Sequence, residues 1–229
     1  MALLYLVTES DRDALFYEQC AARLTGCVFS WSRPLRNRKG DGSAAVQRQI
    51  EYALRQACGA AQGQEEVCFI VAIDNDRTPH PENAPTLIRE RLSAAEQKRT
   101  ARLPLMQEAV HRVLGHDAAA WPLRVALAVP VEMVESWIVK ALDADLPGGP
   151  APHFSWQHQQ RARAYYAPAE APPQWKDLER AAREACGYEC DADFYRHATI
   201  AIAQSLDSLT ARAESFRLFH AQLAAWGPS

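Results

Sequence analysis

The sequence predicts an α/β fold in which a parallel sheet is flanked by helices and followed by a C-terminal helical extension. Four short apolar runs have the length and β-rich composition of buried strands, and segments with helical spacing separate them. This alternation is typical of parallel strands joined by right-handed crossovers. At 229 residues, the chain is long enough for one well-cored α/β domain with a helical appendage.

The α/β elements are expected in strict alternation along the first 143 residues. The predicted strands are Leu3–Thr8, Cys27–Trp31, Val67–Ile73 and Leu123–Val129. The predicted helices are about Arg12–Leu24, Ser43–Cys58, Pro85–Leu114 and Glu132–Leu142. For the third helix, either an unbroken helix or one interrupted near Pro104 is consistent with the sequence. Ser10 or Asp11 can cap the first helix, and Gly26 should end it.

The chain changes character after residue 143, which suggests three segments. Residues 1–143 form the predicted α/β domain, residues 144–173 are a proline-rich loop or linker, and residues 174–229 form the helical extension. The helices expected there are Trp175–Cys186, Asp193–Ser205 and Asp207–Ala225. An apolar stripe that includes Phe216 and Phe219 should pack this extension on or beside the α/β domain.

Composition narrows the functional classes. The chain is 48% apolar and carries a net charge of −3, so any contact with nucleic acid would have to be local. No apolar run is long enough to span a membrane and no secretory signal is apparent, so a cytoplasmic location is expected. The absence of a GxxxxGK[ST] motif excludes a P-loop ATPase on this chain. The six cysteines contain no CxxC and are interpreted as reduced thiols.

Acidic residues follow two of the predicted strands at the point where each strand ends. Glu9 follows the first strand, and Asp74 and Asp76 follow the third. In a parallel sheet these positions face the crevice where α/β proteins hold ligands. Three carboxylates at one place repel one another unless a cation neutralises them, and Mg²⁺ prefers such oxygen ligands. A metal site is therefore predicted there, although acids at strand ends can also simply cap helices.

These acidic segments resemble the two motifs of TOPRIM domains, the metal-binding folds of topoisomerases, primases and OLD-type nucleases. Glu9 occupies the glutamate place of the first motif, Ser10 stands where a glycine is usual, and Asp13 matches the aspartate. The segment Asp74-Asn75-Asp76 resembles the Asp-x-Asp of the second motif. The resemblance implies a TOPRIM-like, Rossmann-like sheet that binds Mg²⁺ or Mn²⁺ through Glu9, Asp74 and Asp76.

The resemblance extends over nearly the whole chain to small TOPRIM-like proteins of the DUF4276 type and their relatives in bacterial defence loci. The segment around Glu132, Glu135 and Trp137 matches them, and so does the late segment around Phe216. Of the two glutamates, Glu135 fits the Glu-x-Trp pattern and is the candidate to complete the acidic cluster. The implied activity is metal-dependent phosphodiester cleavage of DNA or RNA, with Glu9, Asp74, Asp76 and Glu135 as the catalytic candidates.

A basic loop is expected directly after the second strand. It contains the only concentrated positive charge in the chain: Arg33, Arg36, Arg38 and Lys39. Arginine side chains bind phosphate well, so these residues are candidates to hold a nucleic-acid backbone, although a solvated loop would look the same. His80, close to the Asp-x-Asp segment, is the one histidine whose position suggests a role.

Two other functions remain open at this stage. The chain could be a non-catalytic TOPRIM-like subunit of a defence complex, which binds metal, nucleotide or an ATPase without cutting; its modest basic charge and helical tail favour this reading. It could also hydrolyse small phosphoesters, because acidic metal sites at sheet ends serve both chemistries.

Overall fold

The computed structural model describes residues 1–34, 43–63, 66–73, 103–130, 137, 138, 141 and 191–227. The chain divides into two compact units. The first comprises residues 1–73, 100–129 and 218–229, and the second comprises residues 74–99 and 130–217. The predicted boundaries at residues 143 and 173 lie outside the described residues, as do the predicted helix Trp175–Cys186 and most of Pro85–Leu114.

A four-stranded parallel sheet forms the centre of the first unit, which confirms the predicted α/β class. The strands are β1 (Ala2–Val7), β2 (Phe29–Pro34), β3 (Glu66–Ala72) and β4 (Arg124–Ala128). Their order is β2-β1-β3-β4, so β1 and β3 occupy the middle. Both central strands are almost fully buried, which explains why their sequences are continuous apolar runs rather than alternating ones.

The second strand begins two residues later than the predicted start at Cys27 and runs on to Pro34. Gly26 caps the preceding helix with φ +71°, and the Cys27 N–H donates to Thr25 Oγ1 at 3.1 Å, so the chain is still turning at the predicted start. Pro34 can end the strand because β2 pairs only with β1 among the described strands, and a proline lacks an N–H for a second neighbour.

Three helices of the first unit follow the predicted alternation. Helix α1 spans Asp11–Thr25, within one residue of its prediction, and α2 spans Ser43–Gln62. Helix α3 covers residues 103–114, the described part of the predicted third helix. The predicted end of α2 at Cys58 is too early: Gly59 follows it, but a single glycine without a left-handed φ does not end a helix.

The sheet buries apolar side chains on both faces. On one face, side chains of β1, β3 and β4 such as Val7, Phe69 and Leu127 form a core with Leu54 of α2 and Val110 of α3. Residues of the opposite parity, such as Leu6 and Ile70, are fully buried as well. Because successive side chains of a strand alternate between faces, these residues belong to a second apolar layer.

The end of the chain belongs to this first unit. Phe219 is fully buried and meets Tyr17 of α1 edge to face, with ring centroids 5.5 Å apart. The Gln222 carboxamide pairs with the backbone of Leu127: its oxygen accepts from the N–H at 2.9 Å and its nitrogen donates to the C=O at 3.1 Å. This side chain therefore satisfies an outward-facing backbone pair of β4, the strand at the end of the described sheet.

Three helices near the C-terminus are described: α4 (Asp191–Gln204), α5 (Leu206–Arg212) and α6 (Glu214–Ala224). The prediction of one helix over Asp207–Ala225 is wrong, because Ala213 is extended with φ −122° and ψ 94°. In the second unit, the residues after this break contact Trp137: its indole N–H donates to Ser215 Oγ at 3.0 Å, and its ring lies 5.2 Å from that of Phe216. Buried aromatic packing therefore outweighs helix continuity here.

The predicted helix Glu132–Leu142 is described at three of its positions. Residues 137, 138 and 141 are helical, in agreement with the predicted helix Glu132–Leu142, of which they are the described part.

The four described cysteines, Cys20, Cys27, Cys58 and Cys68, are free thiols. None of the helices in the described part of the chain has both the length and the apolar character needed to cross a membrane.

Candidate functional site

Glu9 lies immediately beyond the carboxyl end of a central strand. Strand β1 ends at Val7, Thr8 is buried, and Glu9 is exposed in the bend that leads into α1. The Thr8 hydroxyl donates to the carbonyl of Ser10 at 2.8 Å, which fixes the path of the chain around Glu9. The turn thus places a carboxylate at the edge of the sheet where open α/β folds bind ligands.

Asp13 has a structural role in this turn. Its carboxylate accepts hydrogen bonds from the Ser10 N–H at 3.0 Å and from the Ser10 hydroxyl at 2.8 Å. The Ser10 oxygen in turn accepts from the Asp13 N–H at 3.2 Å, which completes a capping box at the start of α1. Of the two predicted cap residues, Ser10 is therefore the cap. Serine at this position has a physical explanation, because its side chain supplies the capping oxygen.

The strand register brings the ends of β1 and β3 to the same level. Val7 pairs with Val71, the last pair of this ladder, and Ile73 continues β3 by donating its N–H to the Ala128 carbonyl of β4 at 3.1 Å. Parallel strands end at a common edge, so Glu9 lies at the edge of the sheet where β3 ends. Asp74 and Asp76, the next predicted ligands along the chain, lie outside the described residues, and so does Glu135.

The structure corrects one predicted position in the basic loop. Arg33 belongs to β2, not to the loop, and pairs in register with Tyr5 of β1. Arg36, Arg38 and Lys39 lie outside the described residues, as does His80. Strand β2 is parallel to β1 and its last residue, Pro34, pairs with Leu6, so β2 ends at the edge of the sheet where Glu9 lies.

No group of three or more His, Cys, Asp or Glu side chains with metal-binding geometry occurs among the described residues. Of the predicted ligands, only Glu9 belongs to that part of the chain. The site predicted from Glu9, Asp74, Asp76 and Glu135 therefore remains a prediction.

The opposite, amino end of the sheet carries a feature that the sequence analysis missed. A cavity of about 380 Å³ opens there, and its lining includes Cys27, Glu66, Arg124 and Trp226. The Arg124 guanidinium binds the Glu66 carboxylate at 2.9 Å and also donates to the Trp226 carbonyl. These residues are far apart in sequence and follow no motif, so only the folded chain brings them together.

Burial governs the acidity of the thiols near this end. Cys68, which pairs with Arg124 in the ladder, is fully buried, and its pKa is raised to about 12, mainly by burial. Burial likewise raises the pKa of Cys20 to about 12. Such thiols stay protonated and unreactive near neutral pH.

The chain matches no protein-family model, no curated protein and no solved structure. Any statement about its function therefore depends on its own residues and their placement.

Proposed function

We propose that this protein is a TOPRIM-like, divalent-metal-dependent phosphodiester hydrolase that acts on DNA or RNA, in the setting of bacterial defence. The observation that carries the proposal is the parallel register of β1 and β3. This register places exposed Glu9 at the edge where β3 ends, and Asp74-Asn75-Asp76 follow the end of β3 in the sequence. An open parallel sheet uses this edge for ligands, and a set of carboxylate oxygens suits a hard cation.

The proposed ligands for Mg²⁺ or Mn²⁺ are Glu9, Asp74 and Asp76, with Glu135 as a further acidic contributor. The donor set fits such an ion, because it contains only carboxylates and one of them is exposed at a strand end. A bound ion would polarise the phosphoryl oxygen and lower the pKa of a coordinated water. Hydrolysis then adds water across one P–O bond and releases a phosphomonoester and an alcohol.

The protein side chains have two further tasks in this proposal. Glu9 has one of two roles in this proposal: it holds the metal ion, or it accepts the proton that the attacking water loses. The positive charge of Arg33, Arg36, Arg38 and Lys39 would hold the phosphate backbone beside the acidic cluster. The parallel pairing of β2 with β1 supports this arrangement, because both strands end at the same edge of the sheet.

The test is cleavage of plasmid DNA and of a structured RNA by the purified chain in Mg²⁺ or Mn²⁺. We expect cleavage that EDTA abolishes and that Glu9→Gln lowers by at least about 100-fold, because losing a metal ligand should cost more than losing a supporting residue. Glu108→Gln is the matched control: this exposed glutamate of α3 pairs with solvent-exposed Arg112 in its own helix, away from the edge where β1 and β3 end. It should leave cleavage unchanged.

Two results would contradict the hydrolase. Cleavage that persists in Glu9→Gln would point to a contaminating nuclease. Metal binding that depends on Glu9, without cleavage of either substrate, would favour the other candidate, a non-catalytic TOPRIM-like subunit that acts with an ATPase or another defence protein.

A further inference from the structure

Two histidines meet at the C-terminal end of α3, in the first unit. His111 lies in the last turn of the helix and His116 follows it, and their ring centroids are 4.5 Å apart with planes inclined by 51°. His111 is half-buried and His116 is exposed, so solvent reaches the pair. Two imidazoles this close and this accessible can serve one ion.

The chain between the two histidines is held by three local features. Gly115 adopts φ +82°, which residues with a side chain rarely do, and its N–H donates to the His111 carbonyl at 2.8 Å. The Trp121 indole N–H donates to the Gly115 carbonyl at 3.1 Å. Asp117 then caps a short 3₁₀ turn at residues 118–120. The tight reversal brings His116 back towards His111, so the pairing of the rings is built into the backbone.

The separation of the rings fits binding of one metal ion by both of them. A metal–nitrogen bond of about 2.0–2.1 Å places each ring centre about 3.1 Å from the ion, so ligand angles of 90–109° separate the centres by roughly 4.4–5.1 Å. The observed 4.5 Å lies within this range. Imidazole nitrogens suit copper and nickel, and among the divalent first-row ions copper binds such ligands most tightly.

We propose that His111 and His116 form a binding site for a divalent transition-metal ion of the Cu²⁺ or Ni²⁺ type. No third His, Cys, Asp or Glu joins the pair among the described residues, so water or a further ligand would fill the remaining positions. The ligands are imidazole nitrogens, which suit copper and nickel, whereas the carboxylates of the proposed catalytic centre suit magnesium and manganese. The two sites therefore differ in their chemistry, and this one does not depend on the proposed hydrolase activity.

The test is calorimetric titration of the full-length, untagged chain with Ni²⁺, in a buffer that contains excess Mg²⁺ to occupy acidic sites. We expect one Ni²⁺ per chain, with affinity that falls more than about tenfold in His111→Gln and in His116→Gln. His153→Gln is the control, because it removes one histidine elsewhere in the sequence. Both test variants should keep the wild-type melting temperature, since the two rings are accessible to solvent.

A second readout locates the ion. Trp121 lies 6.0 Å from the His111 ring, so bound Cu²⁺ should quench its fluorescence. Trp121→Phe should remove most of the Cu²⁺-dependent quenching that the wild-type chain shows. Unchanged Ni²⁺ affinity in His116→Gln, or no uptake of Ni²⁺ at millimolar concentration, would overturn the proposal.

Discussion

The two ends of the sheet use charge in opposite ways. At the amino end, opposite charges from distant segments satisfy one another: Arg124 binds Glu66 and the carbonyl of Trp226. At the carboxyl end, exposed Glu9 follows β1, and the sequence places Asp74 and Asp76 after β3, apart from the basic residues that follow β2. Paired charges stabilise a fold, whereas like charges need an external cation. We therefore expect substitutions at the amino end to act on stability and, under the proposed function, substitutions at the carboxyl end to act on ligand binding.

The largest expected effect concerns the amino end. Trp226 is 2% exposed beside the Arg124 guanidinium, so Trp226→Ala should reduce the free energy of unfolding by about 3–5 kcal/mol through the cavity it leaves. Urea denaturation measures this loss. Leu218→Ala, in the preceding helix α6, is the control, since its side chain is 38% exposed and its removal should cost under about 1 kcal/mol. Equal losses of unfolding free energy in the two variants would show that the buried Trp226 side chain stabilises the fold no more than the partly exposed Leu218 side chain does.

The second effect concerns the carboxyl end and should appear in function rather than in stability. Asp74→Asn should lower cleavage by at least about 100-fold, since it removes a proposed metal ligand. It should also abolish the rise in melting temperature that Mg²⁺ or Mn²⁺ gives the wild-type protein, because a ligand stabilises only the state that binds it. The metal-free variant should melt no lower than the metal-free wild type, since one of three mutually repelling charges is gone. Identical metal-induced shifts in both proteins would rule out a shared site.

The third effect concerns the pH dependence of stability, which depends on Cys68, a buried thiol near the amino end of the sheet. The pKa of the Cys68 thiol is raised from 9.0 to about 12, chiefly by burial. Above pH 9 the unfolded chain therefore releases a proton that the folded chain keeps, so stability is full below pH 9 and falls as the pH rises towards 12. At pH 10 the loss should be on the order of 1.4 kcal/mol.

The variant Cys68→Ala tests whether ionisation of this thiol causes the predicted loss of stability at high pH. Its stability deficit relative to the wild type should narrow between pH 8 and pH 10, because only the wild type loses the contribution of the thiol. Urea denaturation at each pH measures the deficit. A constant deficit over this range would mean that Cys68 is not the group responsible.

The smallest expected effect concerns the basic segment at the carboxyl end. Replacing Arg36 and Arg38 by alanine should flatten the salt dependence of DNA binding by about 1.8 units of the log–log slope, since each phosphate contact contributes about 0.9. Fluorescence anisotropy at several salt concentrations measures the slope. A slope equal to that of the wild type would make these arginines ordinary surface residues.

Sequence patterns predicted the sheet well because its central strands are buried on both faces. Continuous apolar runs such as Val67–Ile73, rich in β-branched residues and only seven residues long, are typical of strands covered on both faces in a parallel sheet, so the fold class follows from them. The local start and stop signals of α1, Ser10 and Gly26, placed that helix to within one residue. Glu9 was placed at a strand end by the same reasoning, since its position depends only on where β1 stops.

The sequence by itself thus determined the α/β class, the parallel alternation and the exposed acid at the end of β1, because each depends on local apolar patterning and caps. Tertiary structure decided what long-range contacts control. Ala213 interrupts a helix that the sequence would continue, beside residues that pack on Trp137, and Arg124 meets Trp226 from 102 positions away. The rings of His111 and His116 meet because Gly115 adopts a left-handed conformation, and no sequence motif indicates that the two rings pair. A contact between segments is a property of the folded backbone, so spacing along the chain cannot reveal it.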